Sequence, residues 1–175
     1  MHIERPPIDD AETLAALHIA CWREAYGELV PAELLNTADL AKRTQIWRTA
    51  LADPGRIVLA AYDGEKPAGF IMAGPPSEAL FDGIDGHMAA LYILASHQRR
   101  GIGRRSLALA AGQWLAQGGA SLALGVLAEN HKARRFYEAL GGRLVKTGIH
   151  EWDGHPLSDA IYVFEDLGRL AAMAG

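Results

Sequence analysis

A segment rich in glycine and arginine, HQRRGIGRRSL at residues 97–107, contains the residue types that bind phosphate. It lies between the apolar run MAALYILA and a stretch with helical spacing. A turn from a strand into a helix leaves backbone N–H groups unpaired at the positive end of the helix dipole, where an anion is stabilised. Gly101 and Gly103 allow close backbone approach, and charge-assisted hydrogen bonds could come from the four arginines, Arg99, Arg100, Arg104 and Arg105. The segment predicts a site for a phosphorylated ligand; a loop with solvated arginines is the alternative.

Two familiar phosphate-binding motifs do not fit this segment. A dinucleotide fingerprint requires a third glycine where Ser106 stands, and a P-loop requires Gly-Lys-Ser/Thr at the end of a longer loop. The pattern Gln/Arg-x-x-Gly-x-Gly/Ala is met in full. Its residues are Gln98, Arg99, Arg100, Gly101, Ile102 and Gly103.

With this pattern the chain resembles the GNAT family of N-acetyltransferases. The segment ALYILASHQRRGIGRRSL resembles the strand, loop and helix of that family, and LALGVLAENHKARRFYEALGGRLV resembles the strand, helix and strand that follow. The resemblance is strong over about residues 86–145. It implies an α/β fold with a mixed central sheet of about seven strands and helices on both faces, as one domain over residues 1–175.

The resemblance also implies acetyl-CoA as the donor in direct acetyl transfer to a primary amine. The pyrophosphate would lie on the backbone of residues 99–104, with Arg104 beside it. The pantetheine arm would pair along the strand at Leu91, Tyr92 and Ile93. Asn130 is a helix cap by its residue type, and in the family this position also contacts the cofactor arm. Relatives are often dimers, so a homodimer is possible.

An acid and a base are the catalytic groups that acetyl transfer needs. Tyr137 matches the family position for the acid that protonates the leaving thiolate, although helical spacing also suits a core aromatic. His87 stands where many relatives have a glutamate that acts as the catalytic base. A histidine can also accept a proton near neutral pH. Asp82 and Asp85 compete for that role. Gly125 replaces the glutamate of ribosomal-protein acetyltransferases, which speaks against that substrate class.

Aromatic and acidic residues near the expected acceptor site favour a cationic amine. Trp22, Tyr26 and Trp152, together with Glu24 and Asp153, could attract it by cation–π and charge contacts, although tryptophans at this spacing are usually core residues. A small amine or polyamine is the favoured acceptor. A peptide N-terminus or lysine is an alternative acceptor, followed by an antibiotic amine. A non-catalytic acyl-CoA-binding sensor or interaction module is an alternative function.

Composition limits the remaining functional classes. The 175 residues carry a net charge of −4 and are half hydrophobic, which argues against general binding to nucleic acid or to a membrane surface. One cysteine, no run long enough to span a membrane and no apolar leader favour a cytoplasmic protein. The histidines have no spacing typical of a metal site, so no metal is predicted.

The elements that must position these residues follow from periodicity and turn signals. A short strand near residues 2–4 precedes a helix that Asp9 and Asp10 can cap, and a second helix follows Pro31. The turn DGEK predicts a hairpin. Strand, helix, strand, helix and two further strands complete the chain, an order that predicts a mixed sheet with helices on both faces.

Overall fold

A computed structural model describes residues 1–36, 39–76, 83–152 and 154–175. Asp82 and Asp153 lie outside the described residues, as does the side chain of Trp152. The strands are β1 His2–Glu4, β2 Ile57–Asp63, β3 Lys66–Gly74, β4 His87–Ile93, β5 Leu122–Leu127, β6 Arg143–Trp152 and β7 His155–Phe164. The helices are α1 Ala11–Tyr26, α2 Ala32–Asn36, α3 Leu40–Ala52, α4 Ile102–Ala116, α5 His131–Ala139 and α6 Leu167–Ala171.

The seven strands form one mixed sheet in the order β1-β2-β3-β4-β5-β7-β6. All neighbours are antiparallel except β4 and β5, which run parallel. Helix α4 provides the crossover that a parallel pair requires. The predicted α/β class and the strand number are confirmed.

Strands β4 and β5 pair at one end and then diverge. Their register contains the single pair His87 and Ala123, with the N–H of Ala123 donating to the carbonyl of Gly86 at 2.9 Å. Over the same length, β4 keeps its antiparallel partner β3 as far as Gly69 and Ile93. One edge of β4 therefore faces a gap in the middle of the sheet.

Helices cover both faces of the sheet, as predicted. Helices α4 and α6 pack on one face, where Leu107, Trp114 and Leu167 join one buried cluster. Helices α1 and α3 pack on the other face, where Leu14 and Trp47 join a second cluster. Because successive strand residues point to opposite faces, β2 and β3 contribute to both clusters.

Three local features differ from the sequence prediction. The single helix expected after Pro31 is two helices, α2 and α3, and α3 is capped by Asp39, whose side chain accepts from the N–H of Lys42 at 3.1 Å. Neither Asp9 nor Asp10 caps α1 through its side chain; a 3₁₀ turn precedes the helix, and Asp10 accepts a hydrogen bond from the Tyr62 hydroxyl at 3.2 Å. Helix α6, capped by Asp166, was not predicted.

Candidate active site

A cavity of about 640 Å³ opens where β4 and β5 diverge. Five parts of the chain line it: the end of α1, strand β4, the loop into α4, strand β5 and helix α5. The gap in the sheet thus connects the arginine-rich loop with the helix that carries Tyr137.

The start of α4 presents unpaired backbone donors to this cavity. Gly101 precedes the helix with φ of 77° and offers no side-chain cap, and its carbonyl accepts the first helical hydrogen bond, from Arg105. The N–H groups of the next three residues, 102–104, therefore have no carbonyl partner within the helix. These donors and the helix dipole form an anion site. A side chain on Gly103 would meet Phe136, because an added Cβ would lie 3.3 Å from its Cζ.

Gln98 fixes the loop that leads into α4. Its side-chain amide donates to the carbonyl of Ile93 at 2.8 Å, and its amide oxygen accepts a hydrogen bond from the Lys132 ammonium. The next residue, Arg99, has φ of 64°, a left-handed conformation that is rare outside glycine and is strained by about 1–3 kcal/mol. The loop is held in this conformation by its contacts with β4 and α5.

Helix α5 brings Tyr137 to the cavity. Asn130 caps the helix, its side chain accepting from the N–H of Ala133 at 3.1 Å, and Gly141, with φ of 94°, follows its end. Tyr137 is 7% exposed and lines the cavity. No hydrogen bond involves its hydroxyl group among the described residues, so the phenol proton is available to a ligand. Burial, followed by the nearby Tyr26, raises the pKa of Tyr137.

Two further phenols lie near that of Tyr137. The Tyr92 hydroxyl donates to the hydroxyl oxygen of Tyr26 at 3.1 Å, which joins β4 to the end of α1. Burial raises the pKa of Tyr92 well above its usual value, and Tyr26 and Tyr137 add to the shift. Burial also raises the pKa of Tyr26, against the opposing effect of the hydrogen bond with Tyr92. All three are neutral hydrogen-bonding groups at neutral pH.

Charge in the cavity is predominantly positive. Four permanent cations line it: Arg99, Arg104, Lys132 and Arg135. None of them forms an ion pair in the part of the chain that the structure describes. Glu24 is the single carboxylate among the described lining residues, and it accepts a hydrogen bond from the N–H of Ala95 at 2.8 Å.

Most of the predicted site residues meet in this one cavity. Those that line it are Tyr26, Leu91, Tyr92, Ile93, Gln98, Arg99, Gly101, Ile102, Gly103, Arg104, Asn130 and Tyr137. Three others are absent from its described lining. Arg100 is exposed, Trp22 is buried against the ring of Tyr26 at 5.7 Å between centroids, and His87 lies at the paired end of β4. Burial, and then the Arg56 charge, lowers the pKa of His87, whose role as base stays a prediction.

Sequence analysis missed Lys132 and Arg135 as lining residues. They lie three positions apart and so share one side of α5. This spacing predicts that the two side chains share a face, but it does not predict what that face contacts. Within the described ranges no three His, Cys, Asp or Glu side chains are grouped as a metal site would need. The helices described here include none with the length and apolar character to cross a membrane.

The model of the acetyltransferase (GNAT) family matches residues 12–142. The chain belongs to the GNAT acetyltransferase family. This acetyltransferase is 27% identical over 172 residues to the uncharacterized N-acetyltransferase YuaI of Bacillus subtilis (strain 168), covering 98% of this chain and 96% of that protein. The family confirms the predicted enzyme class, N-acetyltransferase, and the acetyl donor, acetyl-CoA.

Solved structures of similar fold include two N-acetyltransferases that are named differently from each other. The PaiA N-acetyltransferase of Thermoplasma acidophilum, in complex with coenzyme A, has a TM-score of 0.70 at 18% identity and covers 91% of this chain and 96% of its own. The ribosomal-protein-alanine N-acetyltransferase of Brucella melitensis has a TM-score of 0.73 at 22% identity. The match covers 94% of this chain and 99% of that one. At these identities the similarity shows the fold of this GNAT protein and does not identify its acceptor.

Proposed function

We propose that this enzyme transfers the acetyl group of acetyl-CoA directly to a primary amine, with a small amine or polyamine as the favoured acceptor. One observation carries the proposal: a single cavity joins the unpaired N–H groups at the start of α4, the open edge of β4 and the hydroxyl of Tyr137, which has no hydrogen-bond partner among the described residues. These are the three groups that must bind the phosphates, align the thioester and protonate the leaving group. The whole of residues 1–175 is proposed to form one domain.

The phosphate end of the donor is supported by the start of α4. The N–H groups of residues 102–104 and the Arg99 and Arg104 side chains face one cavity, whose described lining contains no acid other than Glu24 of α1. Charge-assisted hydrogen bonds from such groups are about twice as strong as neutral ones. They would hold the pyrophosphate and so fix the direction of the pantetheine arm.

The open edge of β4 supports alignment of that arm. Leu94 donates its N–H to Ala68 of the β3 segment at 2.9 Å. Because backbone N–H groups alternate in direction along a strand, those of Leu91 and Ile93 point to the other edge, towards the gap. A pantetheine amide can pair there. The Ile93 N–H is also the proposed donor to the oxyanion that develops when the amine attacks the thioester.

Tyr137 is the proposed acid. As the tetrahedral species collapses, the carbon–sulfur bond breaks and the sulfur takes the electron pair and needs a proton. A CoA thiol has a pKa near that of cysteine, about 8.5, whereas the pKa of Tyr137 is raised above its ordinary value of 10.0. The phenol therefore stays protonated until the thiolate forms. Burial of the thiolate among neutral groups raises the pKa of the thiol and so favours proton transfer from the phenol.

The amine proton must be removed before attack, and His87 is the proposed acceptor. Because its side chain is not in the described lining, a water molecule must connect it to the amine. Its lowered pKa keeps the imidazole neutral at pH 7, as a base requires. Gly125, which lines the cavity, supplies no carboxylate for this role.

Glu24 and the aromatic rings near it support a cationic acceptor. This carboxylate and the Tyr26 ring lie near the end of α1, and both residues line the cavity. A protonated amine gains from both a negative charge and an aromatic face. Trp22 and Trp152 remain predicted contributors to the acceptor site, and a homodimer also stays a prediction.

Release of free thiol from acetyl-CoA tests the proposal. The acceptors are polyamines, amino acids, N-terminal peptides and aminoglycosides, each with the wild type and with Tyr137→Phe. We expect amine-dependent release that falls in the variant by about 10²–10⁴-fold while affinity for CoA is retained. Tyr62→Phe removes a phenol outside the cavity and serves as the matched control. Thiol release that depends on no acceptor, or that Tyr137→Phe leaves unchanged, would contradict the proposal.

A further inference from the structure

Two of the four cations in the cavity are left over once the pyrophosphate is bound. Arg99 and Arg104 flank the backbone donors at the start of α4, whereas Lys132 and Arg135 lie on α5. The α5 pair has no carboxylate partner in the described residues. Exposed cations that share a cavity wall and lack acids repel each other, and a bound anion relieves this repulsion.

The position of these two side chains is fixed by α5 and its contacts. Residues three apart lie on one side of a helix, so Lys132 and Arg135 project together. The next residue, Phe136, lies against Gly103, which brings this side of α5 next to the start of α4. Lys132 is further held by its hydrogen bond to Gln98, which is itself bonded to the end of β4. The pair therefore borders the start of α4 from a separate helix.

CoA carries one more phosphate than the pyrophosphate, on the 3′ position of its ribose. We infer that Lys132 and Arg135 bind this 3′-phosphate. The inference rests on the proposed use of acetyl-CoA and adds a donor specificity to it: the enzyme selects free acetyl-CoA over acetyl groups on a pantetheine arm without this phosphate. A carrier protein presents such an arm, so it would be a poor donor.

Calorimetric titration of CoA and of 3′-dephospho-CoA into the same protein isolates the 3′-phosphate, because the two ligands share the pyrophosphate and the pantetheine arm. At low ionic strength we expect CoA to bind the wild type about tenfold or more tightly than dephospho-CoA, the effect of one charged hydrogen bond or more. In Lys132→Gln/Arg135→Gln the ratio should fall towards one, with the affinity for dephospho-CoA unchanged. Lys132→Arg, which keeps the charge, should retain most of the ratio.

Arg48→Gln is the matched control for charge, since it removes one exposed cation from α3, away from the cavity lining. It should leave the ratio as in the wild type. Retained binding of dephospho-CoA shows that the double variant is folded.

Three results would overturn the inference. Equal affinity of the wild type for both ligands would show that the 3′-phosphate is not recognised. Equal weakening of both ligands in the double variant would assign Lys132 and Arg135 to the pyrophosphate. Binding of neither ligand to the wild type would remove the inference together with the acetyl-CoA assignment, whereas the first two results leave that assignment intact.

Discussion

The hydroxyl group of Tyr92 donates a hydrogen bond to the hydroxyl oxygen of Tyr26, with 3.1 Å between the oxygen atoms. The bond connects the central strand β4 with the last turn of α1, and both side chains line the cavity that contains Tyr137. Burial raises the pKa of all three phenols. The proposed reacting centre therefore has three neutral hydroxyl groups around it, with Glu24 as the one carboxylate among the described lining residues.

The alkaline side of the pH profile follows from the Tyr137 phenol. A group that acts as an acid works below its pKa, and the pKa of Tyr137 lies above 10.0. We expect kcat, measured at saturating acetyl-CoA and amine, to show no decline up to about pH 9.5. A decline with a midpoint near pH 8 that is lost in Tyr137→Phe would show that the phenol titrates far below the expected range.

The acid side of the profile tests His87. With its pKa lowered from 6.5, the imidazole is neutral at pH 7, and it loses its capacity to accept a proton only as the pH falls below that value. We expect His87→Asn to lower kcat by about 10²-fold or more and to remove a limb below about pH 6.5. Unchanged kcat and an unchanged limb would exclude His87 as the base.

A carboxylate at residue 103 should block the phosphate site. Gly103 lies in the first turn of α4 without a positive φ, so glutamate causes no backbone strain there, but its side chain would enter the cavity beside Phe136. We expect Gly103→Glu to abolish CoA binding in a calorimetric titration. Gln113→Glu changes the charge on an exposed position of the same helix and should bind CoA normally. Normal binding of CoA by Gly103→Glu would show that the pyrophosphate does not bind at the start of α4.

His18 should make the protein less stable in mild acid. Its ring is buried among Trp47, Phe70 and Tyr92, and burial, followed by the Arg43 charge, lowers its pKa from 6.5 to about 3. Between these two values the unfolded state binds the proton and the folded state does not, so the free energy of unfolding falls as the pH falls from 6.5 towards 3. The loss is on the order of a few kcal/mol.

Thermal unfolding of His18→Phe across the same pH range checks this expectation. The variant keeps an aromatic ring and has no titrating nitrogen, so its Tm should depend less on pH than that of the wild type. Parallel curves for the two proteins would assign the acid sensitivity to other groups.

The cofactor loop could be predicted because its signals are local. Residues 98–103 adopt a turn that their own glycines permit, and Asn130 caps α5 through the N–H of a residue three positions away. The hairpin at Gly64, with φ of 62°, is equally local. Turns and caps of this kind are determined by a few neighbouring residues, so the sequence predicts them.

Other features depended on residues far apart in the chain. The sequence around Asp10 is typical of a helix cap, but its carboxylate instead accepts a hydrogen bond from the hydroxyl of Tyr62, 52 residues away. Trp22 is of a residue type that often binds ligands, but it is buried. Lys132 and Arg135 line the cavity only because α5 packs beside the start of α4. Tertiary contacts decide such cases, and no spacing rule contains them.

If the donor binds along β4 as proposed, the divergence of β4 and β5 makes the stability of the protein depend on its own substrate. Among the described residues, the peptide groups on the open edge of β4 have no strand partner beyond the first pair, so little backbone bonding joins the two halves of the sheet there. A ligand that binds only the folded chain adds RT ln(1 + [L]/Kd), about 2.7 kcal/mol at 100 times Kd. In the proposed binding mode the donor pairs along β4 like an additional strand, so a fall in the supply of CoA lowers the folded fraction as well as the rate.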